Sequence, residues 1–188
     1  MKIILASKSE RRSKILNELG IKHKVIVSSV KEDNTNHDNP KETVLAHAIQ
    51  KAEDIFSKNK DSVVIGADTI VVCHGKIYGK PVSMKEAEEF ICKFMGKTID
   101  IYTGLAVLYK NKQETGVDIS KIHVKVLNID TVREFLSSIN PLDRAGGFSM
   151  EGPMSIMFDN IEGSFFNILG MPVSLLYDLF QKMNIPIL

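Results

Sequence analysis

The apolar residues of this chain follow two spacings that alternate along the sequence. Residues 3–6, IILA, form a short continuous apolar run, which is typical of a strand covered on both faces. A helical spacing follows, and we expect Ser9 to cap that helix and Gly20 to end it. Residues 25–27 form a second apolar run. A strand, a helix and another strand are therefore predicted to open the chain.

The same alternation continues to the end of the sequence. A polar loop at 31–40 closes with a proline that suits a helix start, and His74-Gly75 predicts a hairpin turn. Ser83 and Glu86 form a capping box. After the loop, the pattern predicts a helix over about 41–57, strands over 63–72 and 76–78, a helix from the capping box to about 95, strands over 99–109 and 119–127, a helix over 129–139, a strand over 154–161 and a helix over 173–183.

Strands mixed with helices in this way predict a mixed α/β fold. The 188 residues are the length of one domain, so we expect residues 1–188 to fold as a single domain, and a content of 44% hydrophobic residues is ordinary for a globular protein. No apolar run approaches the roughly 20 residues that span a bilayer, and the first one is too short for a signal peptide. We therefore expect a cytoplasmic protein with no membrane partner.

Charge and cysteine content narrow the classes of partner. With 24 basic and 23 acidic residues, the formal net charge is +1. This balance gives no general attraction to nucleic acid or to an acidic membrane, so any anion site must be local. Cys73 and Cys92 lack metal-site spacing and lie on a predicted strand and a predicted helix. We expect both to be buried core thiols in a reducing cytosol.

The loop after the first strand carries the first candidate chemistry. Backbone N–H groups at a helix start, together with the helix dipole, favour a bound anion. Ser7 and Ser9 add hydroxyl donors, and Arg11 and Arg12 add guanidinium groups that match phosphate oxygens. The alternative is a serine-capped helix with a solvated basic first turn, although arginine there opposes the dipole. Both interpretations remain open on this stretch alone.

Asp68, in the stretch IGADTIV, is the second candidate. A carboxylate among strand-forming apolar residues is costly to bury unless it is paired, bound to a cation or used in chemistry. Gly66 would let a ligand or another backbone approach closely, and Thr69 offers a neighbouring hydroxyl. The alternative is a structural aspartate that accepts hydrogen bonds from turn amides.

Two lysines and a second carboxylate complete the candidate set. Lys80 directly follows the predicted hairpin, from which its side chain is able to reach back towards Asp68, and Lys51 lies at the edge of a helix's apolar face. Either lysine could instead be solvated, and Glu32 by itself resembles surface charge. Together, carboxylates that hold a hard cation and basic groups that neutralise oxygens predict a site for a magnesium-bound polyphosphate.

Ordered motifs across nearly the whole chain resemble the Maf (septum formation protein) family. Single pieces such as GKP are weak signals, but the ordered set is specific. The motifs are Ser7-Lys8-Ser9-Glu10-Arg11-Arg12, Lys51-Ala52, Gly66-Ala67-Asp68-Thr69, Gly79-Lys80-Pro81, Tyr102-Thr103-Gly104, Pro141-Leu142-Asp143-Arg144-Ala145-Gly146-Gly147-Phe148, Glu151-Gly152 and Gly170-Met171-Pro172.

The resemblance implies a fold, an activity and roles for residues. It implies a mixed twisted sheet with flanking helices and a deep cleft between two lobes, similar to inosine triphosphate pyrophosphatases. It also implies a homodimeric nucleoside triphosphate pyrophosphatase that needs Mg²⁺ or Mn²⁺, with water attacking the α-phosphorus. Asp68 matches the family's proton acceptor, and Glu32 with Asp68 would hold the metal. The positions that match phosphate contacts are Ser7, Arg12, Lys51 and Lys80, of which Lys80 is also assigned to catalysis.

Substrate choice remains mixed at this point. Arg11 and Thr69 resemble the branch that acts on dTTP and UTP, whereas Glu151 resembles the branch that acts on 7-methyl-GTP. A glutamine would suit a pyrimidine edge, while an ionised carboxylate only accepts hydrogen bonds and suits the donors of guanine.

Two other classes of function stay open. A nucleotidyltransferase would also begin with a strand and a phosphate loop, but ASKSERR lacks the glycines that let backbone approach a triphosphate. A non-catalytic nucleotide-binding regulator of cell division and septum formation is suggested by the family's name, and it would bind nucleotides without turnover.

Overall fold

The computed structural model describes residues 1–30 and 39–186. The strands are β1 (Ile3–Leu5), β2 (Lys24–Val25), β3 (Val63–Cys73), β4 (Lys76–Tyr78), β5 (Thr98–Tyr109), β6 (Lys112–Val124) and β7 (Phe158–Glu162). The helices are α1 (Glu10–Glu18), α2 (Pro40–Phe56), α3 (Met84–Phe94), α4 (Ile129–Ser137), α5 (Phe165–Ile168) and α6 (Val173–Lys182). Between α4 and β7 lie 3-10 turns at Pro141–Asp143, Ala145–Gly147 and Pro153–Met157.

The strands described here join one mixed sheet. Its order is β2-β1-β3-β5-β6-β7, and β4 pairs with β3 as a hairpin. β1 runs parallel to β2 and β3, whereas β3, β5, β6 and β7 are antiparallel to one another where they pair. All of β3 is buried except the half-buried Thr69, so its polar residue Asp68 lies inside the protein.

Helices cover both faces of the sheet. Successive strand residues point to opposite faces. Leu5 and Ile65 therefore join the larger apolar core, which also contains residues of α1, α3, α4 and α6. Ile4 and Val64 point the other way and pack with α2 in a second cluster. None of the helices within the described ranges is long and apolar enough to cross a membrane.

Two glycines let α2 rest directly on the strands around Asp68. A Cβ at Gly66 would collide with the carbonyl oxygen of Ala48, and one at Gly104 would lie 2.5 Å from the carbonyl oxygen of Val44. Gly66 precedes Asp68 by two residues on the same face of β3, and Gly104 is the cross-strand partner of Asp68. The backbone of α2 is thus brought against the sheet on both sides of the buried carboxylate.

The mixed α/β class is confirmed, with corrections to strand boundaries. The second strand is Lys24–Val25 and not 25–27. β6 begins at Lys112, not near 119, because its polar first half pairs in full register with β5 although it has no strong apolar pattern. The last predicted strand starts too early: residues 153–157 form a 3-10 turn, and pairing with β6 begins at Phe158.

Two predictions about single residues are also wrong in part. Cys73 is buried as expected, but Cys92 is exposed, because α3 turns other residues inward: Ala87, Ile91 and Phe94. Ser9 occupies the N-cap position of α1 as predicted, but its side chain makes no capping hydrogen bond. Its backbone N–H instead donates to Ser7 Oγ at 3.2 Å, so Ser7 organises the start of the helix.

Candidate active site

A buried Asp68 carboxylate lies at the centre of the site. The residue is only 4% exposed, and each of its carboxylate oxygens has a hydrogen-bond partner on α2. Lys51 Nζ donates to Oδ1 at 2.6 Å, and His47 Nδ1 lies 3.1 Å from Oδ2. Asp68 is therefore a paired buried carboxylate, not one that accepts hydrogen bonds from turn amides.

The geometry of α2 explains why both partners reach the same carboxylate. His47 and Lys51 are four residues apart, so they lie one above the other on a single face of the helix. Both are buried, and the close approach of α2 at Gly66 aims that face at Asp68. Lys51 is predicted at the edge of the apolar face of α2, and there its side chain forms an ion pair with Asp68 on β3.

Electrostatics keep Asp68 ionised. Burial alone would raise the pKa of Asp68, but the hydrogen bond from His47 and the positive charge of Lys51 outweigh it and hold the pKa below its usual value. A carboxylate in this state accepts protons and hydrogen bonds and does not donate them at neutral pH.

Arg12 ties the opening loop to β3 and to the loop before α6. Its Nη1 donates to Ser7 Oγ at 3.0 Å and to Ala67 O at 3.0 Å. Its Nη2 donates to Thr69 Oγ1 at 3.0 Å, and its Nε donates to Gly170 O at 2.8 Å. The guanidinium thus fixes the Ser7 loop and places a positive charge next to Asp68, while much of its donor capacity serves the protein itself.

Arg11 lines the same cleft and is partly withdrawn from solvent. Burial, with further contributions from the positive charges of Arg144 and Arg12, lowers its pKa to about 10. At that pKa the side chain still carries its charge at neutral pH. Arg11 therefore supplies a cation whose charge is poorly screened by water.

Lys80 lines the cleft from a second wall, formed by the segment after β4 and the 3-10 turn at Pro141–Asp143. Its Nζ donates to Asp143 Oδ1 at 3.0 Å, and both side chains are partly exposed, at 36% and 45%. Lys80 follows β4 and Asp143 ends a 3-10 turn, so the pair joins two connecting segments and not two core elements.

One cleft brings most of the predicted residues together. Its polar lining is continuous with a groove formed by Ser7, Lys8 and Ser28, and Arg12, Lys51 and Lys80 line both. The apolar part of the lining consists of buried residues and includes Ile70, Val71, Ile101, Phe148 and Met150. Of the predicted site residues, this region contains Ser7, Arg11, Arg12, Lys51, Asp68, Thr69 and Lys80.

The two remaining predicted residues do not join that set. Glu151 is not among the described residues that line the cleft, and its Oε1 lies 3.8 Å from Lys14 Nζ on α1. Its negative charge still acts on Arg11, whose pKa it raises against the larger effect of burial. The backbone N–H of Glu151 donates to Ser149 Oγ. Glu32 lies outside the described residues, so its assignment to a metal stays a prediction.

The donors present here fit a metal that binds together with substrate. Over residues 1–30 and 39–186, no three His, Cys, Asp or Glu residues cluster in a way that could hold an ion. Asp68 lines the cleft and offers one carboxylate whose oxygens each accept one described hydrogen bond, which leaves lone pairs for a cation. Mg²⁺ is commonly held by one or two carboxylates plus substrate phosphates, and this arrangement is compatible with that mode.

Sequence reasoning missed His47 and gave Asp143 no role. The signal for His47 was its spacing of four residues before Lys51 within the predicted helix, and the signal for Asp143 was its place in the motif PLDRAGGF. Both residues contact a predicted site residue, His47 through Asp68 and Asp143 through Lys80.

Comparisons with known proteins agree with the motifs. Relatives named dTTP/UTP pyrophosphatase from Bacillus anthracis (strain CDC 684 / NRRL 3495) and Bacillus cereus (strain AH820) are each 36% identical over 186 residues, covering 99% of this chain and 97% of the relative. The Staphylococcus aureus Ham1 protein aligns with a TM-score of 0.44 and 14% identity, covering 68% of this chain and 72% of that one. A family model described as Maf-like protein matches residues 2–183. The chain therefore belongs to the Maf-like protein family.

Proposed function

We propose that this protein hydrolyses nucleoside triphosphates to nucleoside monophosphate and pyrophosphate. The observation that carries the proposal is an ionised, buried Asp68 that lines a cleft rich in lysine and arginine. A carboxylate held ionised between cations suits a proton acceptor next to a bound polyphosphate. The names of the Bacillus relatives support the same class of reaction.

Asp68 would act on the attacking water. The water oxygen forms a bond to the α-phosphorus, the bond from that phosphorus to the bridging oxygen breaks, and pyrophosphate leaves with the electron pair. The proton released by the water passes to Asp68. Lys51, 2.6 Å from Oδ1, holds the carboxylate in place and adds positive charge beside the reacting phosphate.

The basic groups of the cleft would stabilise the charge that develops on the phosphates. Lys80, Arg12 and the Ser7 loop line the polar part of the cleft, next to the N-terminal end of α1. Mg²⁺ or Mn²⁺, held by Asp68 and phosphate oxygens with Glu32 as a further predicted ligand, would add Lewis acidity and neutralise charge. Electrostatic stabilisation is therefore the largest expected contribution.

For the base, we propose a preference for uracil and thymine over 7-methylguanine. Arg11 lines the same cleft as Phe148 and Met150, and there it would donate to pyrimidine carbonyl oxygens and would repel a cationic methylated base. Thr69 shares that lining, whereas Glu151 contacts Lys14. The names of the Bacillus relatives support this choice.

The test is pyrophosphate release from dTTP, UTP, CTP, GTP, 7-methyl-GTP and ITP with Mg²⁺, with Mn²⁺ and without metal. We expect metal-dependent release, and a folded Asp68→Asn protein should lose at least about 100-fold in turnover because it lacks the general base. Near-normal turnover in that variant would disprove the assignment of Asp68.

The same assay separates the alternatives. No release from any of these nucleotides, with binding retained, would favour a nucleotide-binding regulator of cell division. Release that requires an added acceptor would favour a nucleotidyltransferase. Homodimer formation is part of the proposal and is tested separately, by light scattering of the purified protein.

A further inference from the structure

His47 is a buried titratable residue that neither the sequence motifs nor the proposed reaction uses. It is 2% exposed, and its Nδ1 lies 3.1 Å from Asp68 Oδ2. The residue is not among those that line the cleft in the described part of the chain. The contact with Asp68 therefore links His47 to the reacting atoms.

We infer that His47 is a positioning residue that sets the orientation of the Asp68 carboxylate. This inference rests on the proposed function for its effect on turnover. Lys51 donates to Oδ1, and a carboxylate held by one oxygen still rotates about its Cβ–Cγ bond. The second hydrogen bond, at Oδ2, fixes the plane of the carboxylate.

Both donors come from one rigid element, which makes the orientation reproducible. His47 and Lys51 lie one turn apart on α2, and α2 is seated on the sheet through Gly66 and Gly104. With one oxygen bonded to each donor, the Asp68 carboxylate keeps further lone pairs for a water or a phosphate-bound cation. Asp68 lines the cleft, where such a ligand would approach.

The contact also defines which ring nitrogen carries a proton. An ionised carboxylate only accepts hydrogen bonds, so a neutral His47 must donate from Nδ1. A histidine that merely fills space in the core has no such requirement. The tautomer of His47 is therefore a direct signature of the contact, independent of any activity.

Three substitutions separate the hydrogen bond from simple packing. Asparagine places its amide nitrogen close to the position of Nδ1, glutamine places it near the position of Nε2, and leucine offers no donor. We expect His47→Leu and His47→Gln to lose about 10- to 100-fold in kcat with little change in KM, the range found for partners that orient site residues. We expect His47→Asn to stay within a few-fold of the wild type.

The experiment measures steady-state pyrophosphate release and thermal unfolding for the four proteins, with nitrogen-15 NMR of the His47 ring in the wild type. A proton on Nδ1, together with recovery in the asparagine variant only, supports the inference. A folded His47→Leu protein with wild-type kcat, equal losses in the asparagine and leucine variants, or a proton on Nε2 alone would overturn it. If the wild type releases no pyrophosphate, the proposed function fails, and the NMR result still decides whether His47 donates to Asp68.

Discussion

The two walls of the cleft hold their charged groups in different ways. On the α2 side, Lys51 and His47 are buried and pair with a buried Asp68 through short contacts. On the second wall, the pair of Lys80 and Asp143 is partly exposed and joins two connecting segments. Separating a buried ion pair is costly because it leaves a charge without solvent. In an exposed ion pair, water or a ligand readily replaces either partner.

This difference suggests a division of labour within the proposed reaction. The α2 wall holds the proton acceptor in one orientation before substrate arrives. Lys80 is able to leave Asp143 for a phosphate at small cost, since exposed ion pairs contribute no more than about 1 kcal/mol. Substitutions on the two walls should therefore separate stability effects from effects on catalysis alone.

The largest effect is expected for Lys51→Met. The substitution leaves Asp68 buried without its cation, and breaking such a pair costs about 3–5 kcal/mol. The pKa of Asp68 should rise, because burial is then opposed mainly by His47. Chemical denaturation measures the loss, and pyrophosphate release should fall with it.

The double variant Lys51→Met with Asp68→Asn is the matched control for that prediction. It removes the stranded charge, so part of the lost stability should return while turnover stays low. Equal destabilisation of the single and double variants would mean that lost packing, and not the unpaired charge, sets the cost.

Gly66→Ala should have the next largest effect. The added Cβ collides with the carbonyl oxygen of Ala48, so α2 must move away from the sheet. Overpacking of this kind costs about 1–3 kcal/mol, and the displaced helix would carry His47 and Lys51 away from Asp68. We expect a lower melting temperature together with a loss of pyrophosphate release.

Gly116→Ala provides the control for overpacking. Its Cβ would meet the terminal methyl of Leu175 at 2.6 Å, and the end of a flexible side chain is able to move. This variant should keep its turnover. Similar losses of turnover in both glycine variants would contradict a specific role for the contact between Gly66 and α2.

The residues of these two walls show which parts of the site are predictable from the sequence. Asp68 was recognisable because a carboxylate within an apolar strand demands a partner, and Gly66 was recognisable as a point of close approach. Lys51 stood at the edge of a helical apolar face. In each case the signal lies within a few neighbouring residues, and the fold class follows from the same local spacing.

The contacts of His47 and Arg12 are of a kind that local sequence spacing does not predict. The bond from His47 to Asp68 exists because Gly66 and Gly104, on different strands, admit the backbone of α2. The acceptors of Arg12 include Ala67 and Gly170, which lie 55 and 158 residues away in sequence. Such contacts depend on the assembled sheet, and no pattern near the residue itself contains them.

On the exposed wall, Lys80→Gln and Asp143→Asn should differ in kinetics and agree in stability. Both remove the same surface ion pair, so each should lose less than about 1 kcal/mol. Loss of Lys80 removes positive charge from the reacting phosphates and should lower kcat by about 100-fold. Loss of the Asp143 charge frees Lys80 for phosphate, so kcat should be retained and KM should fall. An equal fall in kcat for both variants would show that Lys80 needs Asp143 to act.

The smallest effect is expected for Glu151→Gln. Its carboxylate lies 3.8 Å from Lys14 on the surface, so the change should alter stability by less than about 0.5 kcal/mol. The ratio of kcat/KM for UTP to that for 7-methyl-GTP should stay near the wild-type value. Arg11→Gln is the comparison, because Arg11 lines the cleft and carries a charge that disfavours a cationic base. If this ratio changes in Glu151→Gln and not in Arg11→Gln, Glu151 and not Arg11 selects the base.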